Sequence, residues 1–403
     1  MENALPPSFR YLHIFDAVAR LESISRASSE IRISQPAVTL AIAKLERSVG
    51  VPLFERRRTG TYLSPYGRAL HARVTRLFGQ MQSALVEFGL ETSSKSAGAA
   101  SVARQITRSQ MLCLNAIAQK GSLAQAAQSM NISQVMLHRV MRSFEKALGS
   151  SLYRHTAYGV LVTRSAAELA RRMMVAAKEI EYAIDELHTT QGVIGSRIAV
   201  GVQILGSSSL IGNIADKWVA SYPKAHVNII SDGYGTLLQN LRTGEIDLMV
   251  GLLRRPPPFP DVMEELLFMD PYVIVARKGH PLAGGGVPAL KQLAGFDWVL
   301  TSARRNAFNR LFNDLESPPH VSVETQSITI IRAILSNSDQ LTLLTRYEMQ
   351  FEERLGALTK LPTDALVTEA PAPIGMTTRK DWMPTAVQAA FVEMLRTEAR
   401  MPG

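Results

Sequence analysis

Ser23–Ser64 reads SISRASSEIRISQPAVTLAIAKLERSVGVPLFERRRTGTYLS, and the reading of this stretch decides the fold. Ile24, Ala27, Ser28 and Ile31 recur at helical spacing and make one apolar face. A break at Arg32-Ile33 follows. Ser34 then stands where an N-cap should stand, and Pro36 lies just inside the next helix, where its missing N–H costs nothing. Ala37, Val38, Ala41, Ile42 and Leu45 form the buried stripe of that helix, while Gln35, Pro36, Thr39, Leu40 and Ala43 occupy the other side. Small and amide side chains with few charges suit entry into a DNA groove, where amides and hydroxyls reach base edges. Gly50 ends the helix. Arg56-Arg57-Arg58-Thr59-Gly60 is a cationic turn before Tyr62-Leu63, a hairpin wing placed to meet phosphate.

Working outward, Phe9, Leu12, Phe15 and Ala19 share a helical face ahead of this pair. Behind it, Leu70, Val74, Leu77, Met81, Leu85 and Phe88 give a long helix with a near-heptad stripe, as a helix that pairs with another helix would show. Glu91–Ser101 (ETSSKSAGAAS) reads as a flexible linker spanning roughly 20 Å.

The sequence then repeats itself. Residues 106–190 retrace residues 7–91 without a gap, at a fixed offset of 99 residues that carries Ser34 to Ser133. It also carries Ser23 to Ser122, Glu46 to Glu145, Gly50 to Gly149 and Gly60 to Gly159. The second copy ends in its own long helix, striped by Leu169, Met173, Ala176, Ile180, Ile184 and Leu187. An internal repeat of this kind accounts for much of the 403-residue length.

The net charge of +9 is uneven: residues 1–191 hold 24 Lys+Arg against 14 Asp+Glu, and the remainder is near neutral. Only the front half therefore suits a polyanion. One cysteine, Cys113, excludes intrachain disulfides, and its apolar helical surroundings make it a core residue. No apolar run approaches the ~18 residues of a membrane span. The N-terminal stretch lacks the pattern of a secretory signal. A cytoplasmic protein with no membrane partner is expected.

From Arg197 strands alternate with helices: Ile198–Val202, a helix over 210–220, Val227–Ile230, a helix over 236–242, then Asp247–Gly251. That order predicts parallel βαβ units. Breaks near Pro271 and Pro373 suggest two lobes sharing two crossovers. Ligands in such folds sit between the lobes, at strand C-termini and helix N-termini. Ser207 and Ser208 after the first strand, and Tyr234 and Thr236 after the second, are candidates in one lobe. Ser302, Arg304 and Ser327 are their counterparts in the other, and an inward-pointing Arg304 would favour an anion. No phosphate loop, clustered metal motif or nucleophile elbow is visible, so no enzyme activity and no cofactor are expected.

S-x-x-x-A, S-Q-P-A-x-T, L-E, G-x-x-L-F-x-R and the wing's glycine resemble the winged helix-turn-helix of LysR-type transcriptional regulators. GYGTLLQNLRTGEIDLMVGLLR, VARKGHPL and SDQLTLLTR resemble the effector-binding domain of the same family, a type 2 periplasmic-binding-protein-like fold. The wording is most similar to regulators of sugar or aromatic-acid catabolism. The resemblance implies a multidomain protein: a winged helix-turn-helix over 7–66 with linker helix 67–91, flexible linker 92–104, a degenerate winged copy over 105–164 with linker helix 165–191, and a two-lobed α/β domain over 195–403. Lobe I takes 195–270 and 373–403, and lobe II 271–372. It implies double-stranded DNA, a small effector (an organic acid or a sugar), RNA polymerase and a homo-oligomeric partner chain.

Gln35 and Thr39 are the expected base contacts, Ser34 and Pro36 complete the DNA-binding set at the helix start, and Arg56, Arg57 and Arg58 are expected on phosphate. The second copy departs from the family pattern. Pro36 becomes Val135, Thr39 becomes His138, Leu40 becomes Arg139, and Arg57-Arg58 become Thr156-Ala157. Either it still binds DNA through Gln134, His138 and Arg142, or it survives as a pairing surface. Pairing of the two long helices within one chain would make an intrachain pseudo-dimer facing an imperfect palindrome. The competing reading is a small-molecule-binding enzyme or sensor whose front half is a protein-interaction module.

Overall fold

The computed structural model describes residues 7–58, 60–90, 96–156, 159–190, 197–203, 208–362 and 371–400; the side chains of Arg56, Ser96, Ala97, His155, Thr190, Ser208, Ser209 and Phe351 lie outside the description. Two units, 1–196 and 197–403, each have their own core.

In the first unit, α1 (Phe9–Leu21), α2 (Ile24–Ile31) and α3 (Gln35–Val49) pack around Phe15, Val38 and Leu45, all fully buried. Caps fix the helix limits. The Ser23 hydroxyl accepts from Arg26 N and the Ser34 hydroxyl from Ala37 N, and Gly50 ends α3 in the left-handed conformation at φ 75°. β1 (Phe54–Arg57) and β2 (Gly60–Leu63) form the antiparallel wing. The Glu46 carboxylate accepts from Leu53 N and Phe54 N and ties the wing's entry to α3. α4 (Pro65–Glu87) follows.

The predicted flexible linker is corrected in part: Ser96–Gln105 is a helix, α5. Its small residues are what allow it to dock. Ala99 and Ala103 are fully buried, and Arg104 lies over the Phe78 ring and 3.6 Å from Asp16.

The repeat is structural as well as sequential. α6 (Arg108–Lys120), α7 (Leu123–Ser129), α8 (Gln134–Leu148), β3 (Tyr153–Thr156), β4 (Gly159–Val162) and α9 (Arg164–Thr190) retrace the first set. Fine contacts recur too. Thr61 N donates to Glu22 O and Val160 N to Gly121 O; Ser64 N donates to Leu53 O and Thr163 N to Leu152 O. Cys113 is a buried core residue, and burial pushes its thiol pKa up.

The second unit contains β5 (Arg197–Gln203), α10 (Ser208–Ser221), β6 (His226–Asp232), α11 (Tyr234–Thr243), β7 (Leu248–Leu252) and β8 (Val262–Asp270). Next come β9 (Tyr272–Arg277), α12 (Leu290–Ala294), β10 (Trp298–Leu300), α13 (Arg305–Leu311), β11 (Val321–Glu324), α14 (Ile328–Ser336) and β12 (Thr342–Thr345). α15 (Arg346–Leu355), β13 (Leu358–Lys360), β14 (Ala372–Arg379) and α16 (Ala386–Arg400) complete it. Lobe I is a five-stranded sheet in the order β6-β5-β7-β14-β8, with β5 parallel to both neighbours. Lobe II joins β12-β9-β13 to the parallel pair β10-β11 through a bridge at Trp298 and Leu341. The chain leaves the first sheet at Asp270 and rejoins it at Ala372. Trp218 and Trp298 are fully buried, one in each lobe. His280, which the sequence suggests is a turn residue, is also buried: its ring accepts from Leu282 N and faces Asp339 O at 3.1 Å.

Candidate DNA interface and effector cleft

On α3 the capping chemistry uses part of the expected reading set. Ser34 spends its hydroxyl on the helix start, and the Thr39 hydroxyl donates back to Gln35 O. Gln35 is exposed and donates from Nε2 to the Ser25 hydroxyl at 3.2 Å, which holds the amide at the mouth of the α2–α3 turn. Pro36 and Leu40 are exposed beside it. Arg57 pairs with Glu55 at 2.8 Å and lies over the Tyr62 ring, so its guanidinium is oriented along the wing. Arg58 is exposed in the turn, and the side chain of Arg56 lies outside the described residues.

α8 presents the corresponding face of the second copy. Ser133 caps Met136 N, Gln134 and Arg142 are exposed, and His138 is half-buried. Charge has moved between elements. The wing lost Arg57 and Arg58 to Thr156 and Ala157, but the helix gained Arg139 for Leu40 and Arg142 for Ala43.

α4 and α9 cross antiparallel, and the crossing has a pseudo-twofold. Arg73 on α4 donates to Glu186 on α9 at 2.6 Å, and Arg172 on α9 pairs with Glu87 on α4. The offset of 99 residues carries Arg73 to Arg172 and Glu87 to Glu186, so the two ion pairs are images of one another. The axis passes by Gln80, which donates to Glu179, its own counterpart in the repeat. Asymmetry enters at Glu179. This buried carboxylate also accepts from Arg73 at 2.9 Å and Arg76 at 3.0 Å. Arg73 is 1% exposed; burial opposes its charge, but the bonds to Glu186 and Glu179 win and its pKa is raised.

In the second unit the α11 and α14 helix starts meet across the lobes. A Cβ on Gly233, the N-cap of α11, would lie 3.5 Å from Gln326 Oε1, next to Ser327. Ser327 caps Ile330 N, and Thr325 N donates to Leu300 O, which sets the α14 start beside the end of β10. Thr301 there is buried with a hydroxyl that has no protein partner. Thr236 and Ser302 are exposed near these helix starts.

The expected effector residues Arg304 and Tyr234 have neighbours within their own lobes. Arg304 does not offer a free cation: it is buried, donates to Leu343 O at 2.6 Å and forks onto Glu348. A guanidinium inside lobe II needs that counter-charge. Tyr234 packs with Leu237 and Phe259 in lobe I. Its hydroxyl is buried near Glu264, and burial, then Glu264, push its pKa up. Ser207 and the side chain of Ser208 lie outside the described residues.

The sequence reading missed Arg254, which follows β7 and sits 4.1 Å over the Tyr234 ring at the start of α11. It also missed Gln203, whose amide bonds both Leu252 N and Leu252 O and links the ends of β5 and β7. Gly251 leaves room for it, since a Cβ there would stand 2.5 Å from the Gln203 side chain. Adjacency of strand ends is set by sheet order, which is why no local signal marked either residue.

Residues 191–400 match the LysR substrate binding domain, and residues 9–68 and 109–167 each match the bacterial regulatory helix-turn-helix of the lysR family. The HTH-type transcriptional regulator GalR of Pseudomonas putida is 28% identical over 394 residues, 97% of each chain. The HTH-type transcriptional regulator PcaQ of Agrobacterium fabrum is 25% identical over 70% of this chain and 92% of its own. Among solved structures, an OxyR C206 mutant of Corynebacterium glutamicum is 22% identical, with a TM-score of 0.45 over 72% of this chain and 91% of that one. The chain belongs to the LysR family and is a DNA-binding transcription regulator with an effector-binding domain and two copies of the winged helix-turn-helix.

Proposed function

We propose that one chain of this regulator presents both winged domains to a single operator, with α4 and α9 acting as the pairing helices. The mirrored pairs Arg73–Glu186 and Arg172–Glu87 carry this reading. Two-fold proteins read two-fold sites, so a pseudo-twofold predicts an imperfect palindrome. Gln35 and Pro36 face bases in one half, and Arg57 and Arg58 hold phosphate beside them. In the second copy Gln134, His138 and Arg142 take the corresponding places. The test is light scattering of residues 1–191, then footprinting on the promoter region of its own gene. A monomer that protects two half-sites supports the reading. A fragment that protects them only as a dimer, and binds unchanged after Gln134, His138 and Arg142 are replaced by Ala, refutes it.

The effector is a small organic acid, held between the α11 and α14 helix starts with Arg254 as the cation and Thr301 as a hydroxyl contact. Its occupancy shifts a pre-existing equilibrium between lobe arrangements. The reading takes the protein to act in the cytoplasm as a regulator and not as an enzyme. Among the described residues no helix is long and apolar enough to cross a membrane. Arg254→Ala weakens the response to acidic effectors at least tenfold under this reading; an unchanged titration would exclude the arginine.

A further inference from the structure

The start of α8 is more apolar than the start of α3. Val135 is 79% exposed and Met136 47%, where the first copy has Pro36 and the small Ala37. Leu161 on the second wing is 49% exposed. Packing within the chain does not account for this pair, since the buried stripe of α8 is Leu137, Met141, Phe144 and Leu148. Farther along the same helix Arg139 and Arg142 are exposed. An apolar pair followed by two exposed arginines on a recognition helix fits a polyanion that carries methyl groups. In the major groove of DNA the thymine C5-methyl is that group, and apolar side chains read it.

We infer that the second winged domain reads a thymine-bearing half-site through Val135 and Met136, with Arg139 and Arg142 replacing the lost wing arginines on phosphate. The two halves of the operator are then chemically different, and the bound chain has a direction. The first copy reads its half by the Gln35 amide, and the second by methyl contact. This rests on the single-chain reading above, and the experiment separates the two.

Full-length protein selects duplexes from a randomised pool. The enriched site is then rebuilt with deoxyuridine for thymidine in one half at a time, which removes only the methyl. Gln35→Ala identifies the half read by the first copy. In the other half, each uracil substitution weakens wild-type binding about fourfold, close to the transfer free energy of one buried methyl. The Val135→Ala/Met136→Ala double variant starts weaker and does not respond to uracil. Two halves with no uracil effect, or an equal effect in wild type and double variant, overturn the methyl contact and leave the single-chain reading standing. Selection of one half-site only, with Gln134, His138 and Arg142 variants binding like wild type, overturns both. If the double variant binds every duplex normally but loses transcriptional activation, the apolar pair is a protein-docking surface and the inference is wrong.

Discussion

Single side chains decide whether a position reads, holds or merely caps. Gln35 is exposed and bonds across the turn to Ser25, whereas Ser34 and Thr39 bond their own helix. Gln35→Ala therefore weakens binding to the selected operator by about 1–3 kcal/mol, measured by fluorescence anisotropy, and relaxes preference at one base pair. Ser34→Ala acts on folding instead and costs about 1 kcal/mol of stability by urea titration. Asp270 carries a pH signature. It ends β8 at the crossover into lobe II, accepts from Tyr347 N at 3.2 Å, and has one carboxylate oxygen without a partner. Burial pushes its pKa from 3.8 to about 6, although Thr345 and Tyr347 bond the carboxylate. The folded state thus holds the proton more tightly than the unfolded chain. Stability falls as pH rises from about 4 to about 6 and is flat for this group beyond that window. Asp270→Asn removes that slope and raises stability near pH 7.5 by about 3 kcal/mol, as urea titrations across pH will show. At this scale the caps at Ser23 and Ser34 were legible, because they depend on residues three or four apart. The pairing of Arg304 has no such local sign, because its partner Glu348 lies 44 positions away.

At the scale of elements, the repeat makes both winged domains and both long helices visible in the sequence, since a gapless offset keeps the apolar stripes and the Ser23/Ser122, Ser34/Ser133 and Gly50/Gly149 caps in step. β8 was not legible. Its side chains follow no strict alternation, and a register shift against β14 between Ile374 and Gly375 breaks the pattern. α5 was read as coil because Ala, Gly and Ser suit both linkers and close helix packing; only the face offered by α1 and α4 decides. The α4–α9 crossing gives the sharpest test. Arg73→Ala leaves Glu179 and Glu186 facing each other with one cation lost, a buried network for which removal of one partner costs about 3–5 kcal/mol. Arg172→Ala, its image, breaks a more exposed pair and costs under about 1 kcal/mol. Differential scanning calorimetry of the two variants distinguishes the sites. Equal losses would mean that the asymmetry at Glu179 has no energetic weight.

For the whole molecule, the distribution of charge sets how binding responds to salt. The surplus of cations lies in residues 1–191, with Arg57 and Arg58 on the first wing and Arg139 and Arg142 on the second helix. Each phosphate neutralised releases condensed counterions, so the logarithm of the affinity falls with the logarithm of salt concentration by about 0.9 per contact. If both copies touch the duplex, Arg57→Ala/Arg58→Ala and Arg139→Ala/Arg142→Ala each lower the slope by about 2, and together they lower it by about 4, because the sites are separate. The affinity of the first pair of variants drops with little change in base preference, as expected for contacts that position without reading. A slope that responds to the wing arginines but not to Arg139 and Arg142 would place α8 away from DNA. The pseudo-twofold at Gln80 and Glu179 would then serve assembly alone, and both the paired half-sites and the thymine-reading helix would have to be abandoned.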